Sequence, residues 1–183
     1  MQDWQKHYFD LLVESIVNEF TVLYTYLTKK EKNVYGITIV TDYDGLTAYM
    51  MASTLESLKK KHKGSKWVPY GWMIGNDDGD VALGLNKFVK KHIEYYDDHI
   101  VPRFADKNYD YSNDFNDNLE MFMLGMKSAK EKLVTQFGAD IEEIIFLVSI
   151  SGEDDITVES AKRINSESKN LRKLLKFYDE LLK

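Results

Sequence analysis

Cysteine is absent from this 183-residue chain, which excludes disulfides, thiolate metal sites and cysteine nucleophiles together and fits a reducing compartment. Proline occurs twice, at Pro69 and Pro102, and no repeat or Ser/Gly-rich stretch divides the sequence, so the marks of a linker or a solenoid are missing. No uncharged apolar run approaches 18 residues, and Met1 to His7 has no basic segment leading into an apolar one. The expectation is a soluble cytoplasmic protein with no membrane partner. Cations are the scarcer charge. With 24 Lys and Arg against 30 Asp and Glu, the net charge is -6, which disfavours nucleic acid, because phosphate binding depends on cations that neutralise it.

What is present points to one core. With 44% apolar and 13% aromatic residues, a chain of this length buries roughly 70% of its unfolded surface, so residues 1–183 read as a single globular domain. The sharpest local feature lies between Asp140 and Glu159. Seven carboxylates, Asp140, Glu142, Glu143, Glu153, Asp154, Asp155 and Glu159, flank the apolar run Ile144–Ile150, and no Lys or Arg interrupts them. A core strand does not bury such acids unpaired, so they belong at its rims, where their field attracts a basic partner.

Periodicity places the other elements. From Asp3 to Thr28, Trp4, Tyr8, Leu12, Ile16, Phe20, Leu23 and Leu27 recur at spacings of three and four, which lays one stripe along a helix, with Asp10, Glu14 and Asn18 opposite. Phe20–Leu27 is rich enough in β-branched and aromatic residues to suit a strand as well. Val34–Thr41 and Leu46–Ser53, joined by Asp42-Tyr-Asp-Gly45, read as a hairpin. Ser53 or Thr54 caps a helix whose far end carries Lys59, Lys60, Lys61, Lys63 and Lys66, cations that complement the helix dipole without a ligand. After an aromatic connector from Trp67 to Ile74 and a turn at residues 75–80, two helices follow. One carries the stripe Val81, Leu85, Phe88, His92, Tyr96, Ile100, and the other Phe115, Leu119, Phe122, Met126, Ala129, Leu133. A short helix at Thr157–Asn165 and a terminal one from Ser168, with Leu171, Leu175, Tyr178 and Leu182 inward, complete the chain. The fold expected is α+β, a small antiparallel sheet of hairpin plus Ile144 strand under several amphipathic helices.

Catalytic motifs are sparse. His92 and His99 lie seven residues apart, about 10.5 Å of helix rise, whereas two histidines on one zinc sit at i and i+4, so ordinary structural roles are favoured over a metal. These residues, with Glu94, are the basis of the alternative reading, an enzyme with a site around His92–His99. Asp42–Gly45, Asn76–Asp80 and Asp106–Asp117 lack EF-hand spacing and read as turn chemistry. Ser149-Ile-Ser-Gly152 is not a nucleophile elbow, and neither a Gly-x-Gly-x-x-Gly loop nor a P-loop occurs, so no cofactor is expected. Trp67, Tyr70 and Trp72 suit either core packing, the commoner fate of large aromatics, or an interface anchor beside the acids Asp77, Asp78 and Asp80.

The order of a long amphipathic helix, then Tyr35-Gly-Ile-Thr-Ile-Val-Thr-Asp-Tyr-Asp-Gly45, Ser53-Thr-Leu-Glu-Ser-Leu58 and Trp67-Val-Pro-Tyr-Gly-Trp72 resembles the bacterial domain-of-unknown-function 4303 family. Glu159-Ser-Ala-Lys-Arg-Ile-Asn165, ahead of a terminal helix, resembles that family's closing segment. The resemblance implies a small cytosolic protein without assigned catalysis, some members being similar to immunity proteins of toxin systems. It implies a binding role and carries no catalytic residues. The expectation is therefore a non-catalytic binder of a basic protein, with an immunity protein against a basic toxin domain as its specific form. Asp77, Asp78, Asp80, Glu142, Glu143, Glu153, Asp154 and Asp155 would steer the partner, and Tyr70 or Trp72 would anchor it.

Overall fold

Residues 3–30, 32–60, 66–72, 74 and 85–181 are described by the structure, a computed structural model. Helix α1 spans Asp3–Lys29, and Leu12, Ile16, Phe20, Leu23 and Leu27 are all buried along it. That continuous inner stripe outweighs the strand propensity of Phe20–Leu27, which stays helical. Strands β1 (Val34–Thr41) and β2 (Ala48–Thr54) form the hairpin, with Ile39 opposite Met50 and Thr41 opposite Ala48. β2 starts two residues later than the apolar pattern suggests, because the Asp42 carboxylate accepts the amides of Leu46 and Thr47, at 2.9 and 3.1 Å, and holds them in the turn.

Helix α2 (Leu55–Lys60) follows, then a short 3-10 turn at Pro69–Gly71 and helix α3 (Asn86–Tyr95). A π-helical turn (Tyr96–Ile100) and a 3-10 turn (Val101–Ala105) extend α3; Pro102, which has no N–H to donate, sits where the regular ladder gives way. Helix α4 (Ser112–Phe137), strand β3 (Ile145–Ser149) and helices α5 (Asp154–Ile164) and α6 (Lys169–Leu181) complete the order. None of the helices among the described residues is long and apolar enough to cross a membrane.

The α+β class holds, with one correction inside it. The sheet order is β2-β1-β3, and β3 runs parallel to β1, Gly36 opposite Ile145 and Val40 opposite Ser149, so the sheet is mixed and not antiparallel throughout. A parallel neighbour needs a long crossover, which the helices between the two strands supply. The unbroken apolar run of β3 agrees with this, since strands covered on both faces do not alternate. On one face Ile37, Ile39, Phe146 and Val148 pack with α1 and α4. On the other, Ile145 and Leu147 meet Trp67, Trp72 and the α6 residues Leu171, Leu174 and Tyr178. Gly36 lies directly under the Trp72 ring, where an added Cβ would fall 2.4 Å from Cη2.

On both outer strands, backbone groups facing away from β1 find partners outside the sheet. The Val148 N–H donates to Ser160 Oγ at 3.0 Å and the Val148 carbonyl accepts from the same hydroxyl at 2.8 Å. Asn165 serves Phe146 in the same way, so α5 stands in for a fourth strand beside β3. On the β2 side, Ala52 N–H donates to Ile74 O, and the Glu19 carboxylate of α1 accepts from the backbone of Met50 and, at 2.6 Å, from Leu85 N–H. Burial raises the Glu19 pKa above the usual carboxylate range, against the opposing pull of these two amides.

Candidate functional site

Parallel pairing puts the carboxyl ends of β1 and β3 side by side, and the features able to receive a partner gather there. Gly45, at a φ of +67°, closes the turn after β1, with its N–H donating to Asp42 O at 3.1 Å. The Asp42 carboxylate also accepts from Asp44 N–H at 3.2 Å and from the Thr47 hydroxyl at 2.6 Å. Burial pushes the Asp42 pKa up, but the Thr47 hydroxyl and the amides of Leu46, Thr47 and Asp44 together hold it below the ordinary value. The residue is therefore an anion at neutral pH.

Three neighbours fix this turn. His92 of α3, 1% exposed, lies 3.0 Å through Nε2 from Gly45 O; a carbonyl only accepts, so Nε2 carries the proton. Burial lowers the His92 pKa, against the raising effects of Gly45 O and Asp42, and keeps the ring neutral. Tyr111, at the start of α4, donates its hydroxyl to Asp44 O at 2.5 Å. Tyr43 reaches the other way and donates to Ser151 O at 2.5 Å, in the loop between β3 and α5.

Around this hub the surface is aromatic and anionic. Tyr43 is 63% exposed, Tyr49 37% and Phe104 49%. Phe104 contacts the rings of Tyr96, Tyr109 and Tyr111, with centroids 5.3 to 6.4 Å apart, and Tyr109 donates to the buried Asp114 carboxylate, which also pairs with Arg103 at 3.6 Å. Asp44, Asp97, Asp98, Glu153 and Asp155 are exposed, and Asp154 is half-buried.

The expected site residues divide. Glu153, Asp154 and Asp155 lie at this end, Glu153 following Gly152, against which the Tyr43 hydroxyl packs. Glu142 and Glu143, also exposed, precede β3 and so sit at the opposite end of the sheet, roughly 17 Å of strand away. Thus the two acidic groups occupy the rims of β3 but do not converge. Trp72 requires a correction: it is 2% exposed, in ring contact with Tyr35 and stacked over Gly36, so it is core and no surface anchor. Asp77, Asp78 and Asp80 lie outside the described residues, as does the Tyr70 side chain.

A family profile with the description "Domain of unknown function (DUF4303)" matches residues 12–166. The chain belongs to the DUF4303 family. The matched span of this DUF4303 protein runs from within α1 past the end of α5 and so contains the whole turn, loop and aromatic surface. No curated protein and no solved structure matches the chain.

Two further candidates resolve differently. His92 is buried against Phe88 whereas His99 is exposed beside Tyr95, so the pair does not share a site, and no metal-competent group of three His, Cys, Asp or Glu occurs among the described residues. A cavity of about 310 Å³ between α4 and α5 is lined by Lys127, Lys130, Glu142 and Arg163. Lys130, 6% exposed, donates to Glu142 O, Ile144 O and Asn165 Oδ1 at 3.2, 2.9 and 2.8 Å, which uses all three ammonium hydrogens in joining α4 to β3 and α5. Burial pulls its pKa down to about 8 in spite of Glu142 and Glu143 nearby.

Asp42, Tyr43, Asp44 and Tyr49 escaped the reading of the sequence as site residues. A signal for them exists: residues 33–58 contain no Lys or Arg, as residues 133–161 contain none, and the parallel pairing of β1 with β3 brings together the acids that follow each strand within these segments.

Proposed function

We propose that this DUF4303 protein is a non-catalytic, cytoplasmic binding protein that captures a basic protein partner at the carboxyl ends of β1 and β3. The observation that supports it is the Tyr43–Ser151 hydrogen bond, which joins the Asp42–Asp44 turn to the Glu153–Asp155 loop into one anionic, tyrosine-rich surface. Tyrosines supply large contact area at low entropic cost, and acids speed the encounter with a cationic surface. An immunity protein covering a basic toxin domain is a role of this kind.

A partner captured from native lysate and identified by cross-linking serves for the test. Association with that partner should slow in E153K/D154K/D155K and lose its salt dependence, while E142K/E143K, at the far end of β3, should associate as the wild type does. An unchanged on-rate in the first variant, or a larger effect in the second, would overturn the reading. Protection of cells on co-expression with the partner separates an immunity protein from other binders.

A further inference from the structure

We propose that the surface cup between Tyr43 and Tyr49 receives an arginine side chain of the basic partner, an inference that rests on the docking reading above and names the group it recognises. The cup measures about 210 Å³ and is walled by Val40, Asp42, Tyr43, Tyr49, Ile150 and Ser151. Ligand pockets for drug-sized molecules and cofactors begin at roughly 300 Å³, so this one suits a single side chain.

Its chemistry selects among side chains. Tyr43 and Tyr49 present rings that remain exposed although they belong to a turn and a strand, and the Tyr43 hydroxyl, tied to Ser151 O, holds its ring as a fixed wall. A planar, weakly hydrated guanidinium stacks on such faces better than a compact ammonium does. Val40 and Ile150 offer apolar surface to the methylene stem. The two oxygens of Asp42 already accept from the amides of Asp44, Leu46 and Thr47 and the Thr47 hydroxyl, so Asp42 contributes negative field and not a directional fork. Anions are disfavoured, since neither segment that builds the cup carries a Lys or Arg. A metal ion would find one carboxylate with its acceptor positions taken.

The test uses the full chain and a defined probe, N-acetylarginine amide, followed by nuclear magnetic resonance, with N-acetyllysine amide and N-acetylleucine amide as comparators. Saturable shifts confined to residues 40–49 and 150–151 are expected, with arginine preferred over either comparator by about threefold or more, the size a solvent-exposed cation–π contact supplies. Binding should vanish in Tyr43→Ala and Tyr49→Ala, two substitutions at exposed positions. No saturable shift, shifts elsewhere, or equal binding of leucine or lysine overturns the proposal without recourse to any variant. Loss of arginine binding with salt-dependent capture retained sinks the cup alone. Retained arginine binding with an on-rate indifferent to E153K/D154K/D155K sinks the docking reading alone.

Discussion

Asn165 and Phe146 exchange a pair of hydrogen bonds: the side-chain amide nitrogen donates to the Phe146 carbonyl at 2.7 Å, and the Phe146 N–H donates to the amide oxygen at 2.9 Å. A carboxamide is chemically a peptide group, so this side chain does for the border of β3 what an adjacent strand would do. The same oxygen accepts from Lys130, and the same nitrogen donates to Ala161 O. Removing the amide leaves several buried groups unpaired. Asn165→Ala should cost about 2–4 kcal/mol of unfolding free energy. Asn165→Asp, which keeps the shape and loses the donor, should also destabilise, and equal denaturant midpoints for wild type and Asp variant would refute the account.

Gly36 and Trp72 form a second close pair. A methyl at residue 36 would overlap the indole, so Gly36→Ala should destabilise by about 1–3 kcal/mol. Trp72→Phe removes the atoms in conflict, and the double variant should be more stable than the sum of the two single losses predicts. Strict additivity in chemical denaturation would show that the overlap is not the cause.

His92 makes stability depend on acid. Its pKa in the folded protein lies below the ordinary value near 6.5, so as pH falls below that value the unfolded chain takes up the proton first and stability declines, by at most about 1.4 kcal/mol per pH unit. Glu19, whose pKa is raised, acts with the opposite sign, losing stability as pH rises above about 4.5. Comparison with His92→Gln, whose amide can still donate to Gly45 O, isolates the histidine. The melting temperature of the wild type should fall faster than that of the variant between pH 6.5 and 5; parallel curves would exclude this role.

Lys130 is a buried cation with three oxygen acceptors. Lys130→Met keeps most of the volume and orphans the carbonyls of Glu142 and Ile144, so a loss of about 1–3 kcal/mol is expected at pH 7. With a folded pKa of about 8, the wild type should recover stability relative to the Met variant as pH rises from 8 towards 10, because the unfolded chain holds the proton longer. A constant difference across that range would contradict the burial described for the ammonium.

Periodicity revealed the helices because each buries a stripe: Leu12, Ile16 and Phe20 in α1, and Leu119, Phe122 and Met126 in α4, recur at helical spacing and are buried. The hairpin was equally plain from Asp42–Gly45 between two β-branched runs. The direction of β3 was not, since an apolar run reads the same whichever way it pairs, and that direction decides which acids meet. Glu153, Asp154 and Asp155 thereby join the Asp42 turn, and Glu142 and Glu143 do not. Ser160 and Asn165 looked like ordinary polar positions of an amphipathic helix; only tertiary placement makes them strand partners. Trp72 was ambiguous because an aromatic pattern states bulk and not exposure.

The mixed sheet also dictates a timetable. β1 and β2 are neighbours in the chain, but the strand that completes their sheet emerges about a hundred residues later. Loop closure over that separation is slow in comparison with helix or hairpin formation. During synthesis the hairpin must therefore wait, with one margin of β1 unpaired, until Ile145–Ser149 has left the ribosome, and a nascent chain halted before residue 145 would be the form most exposed to chaperones.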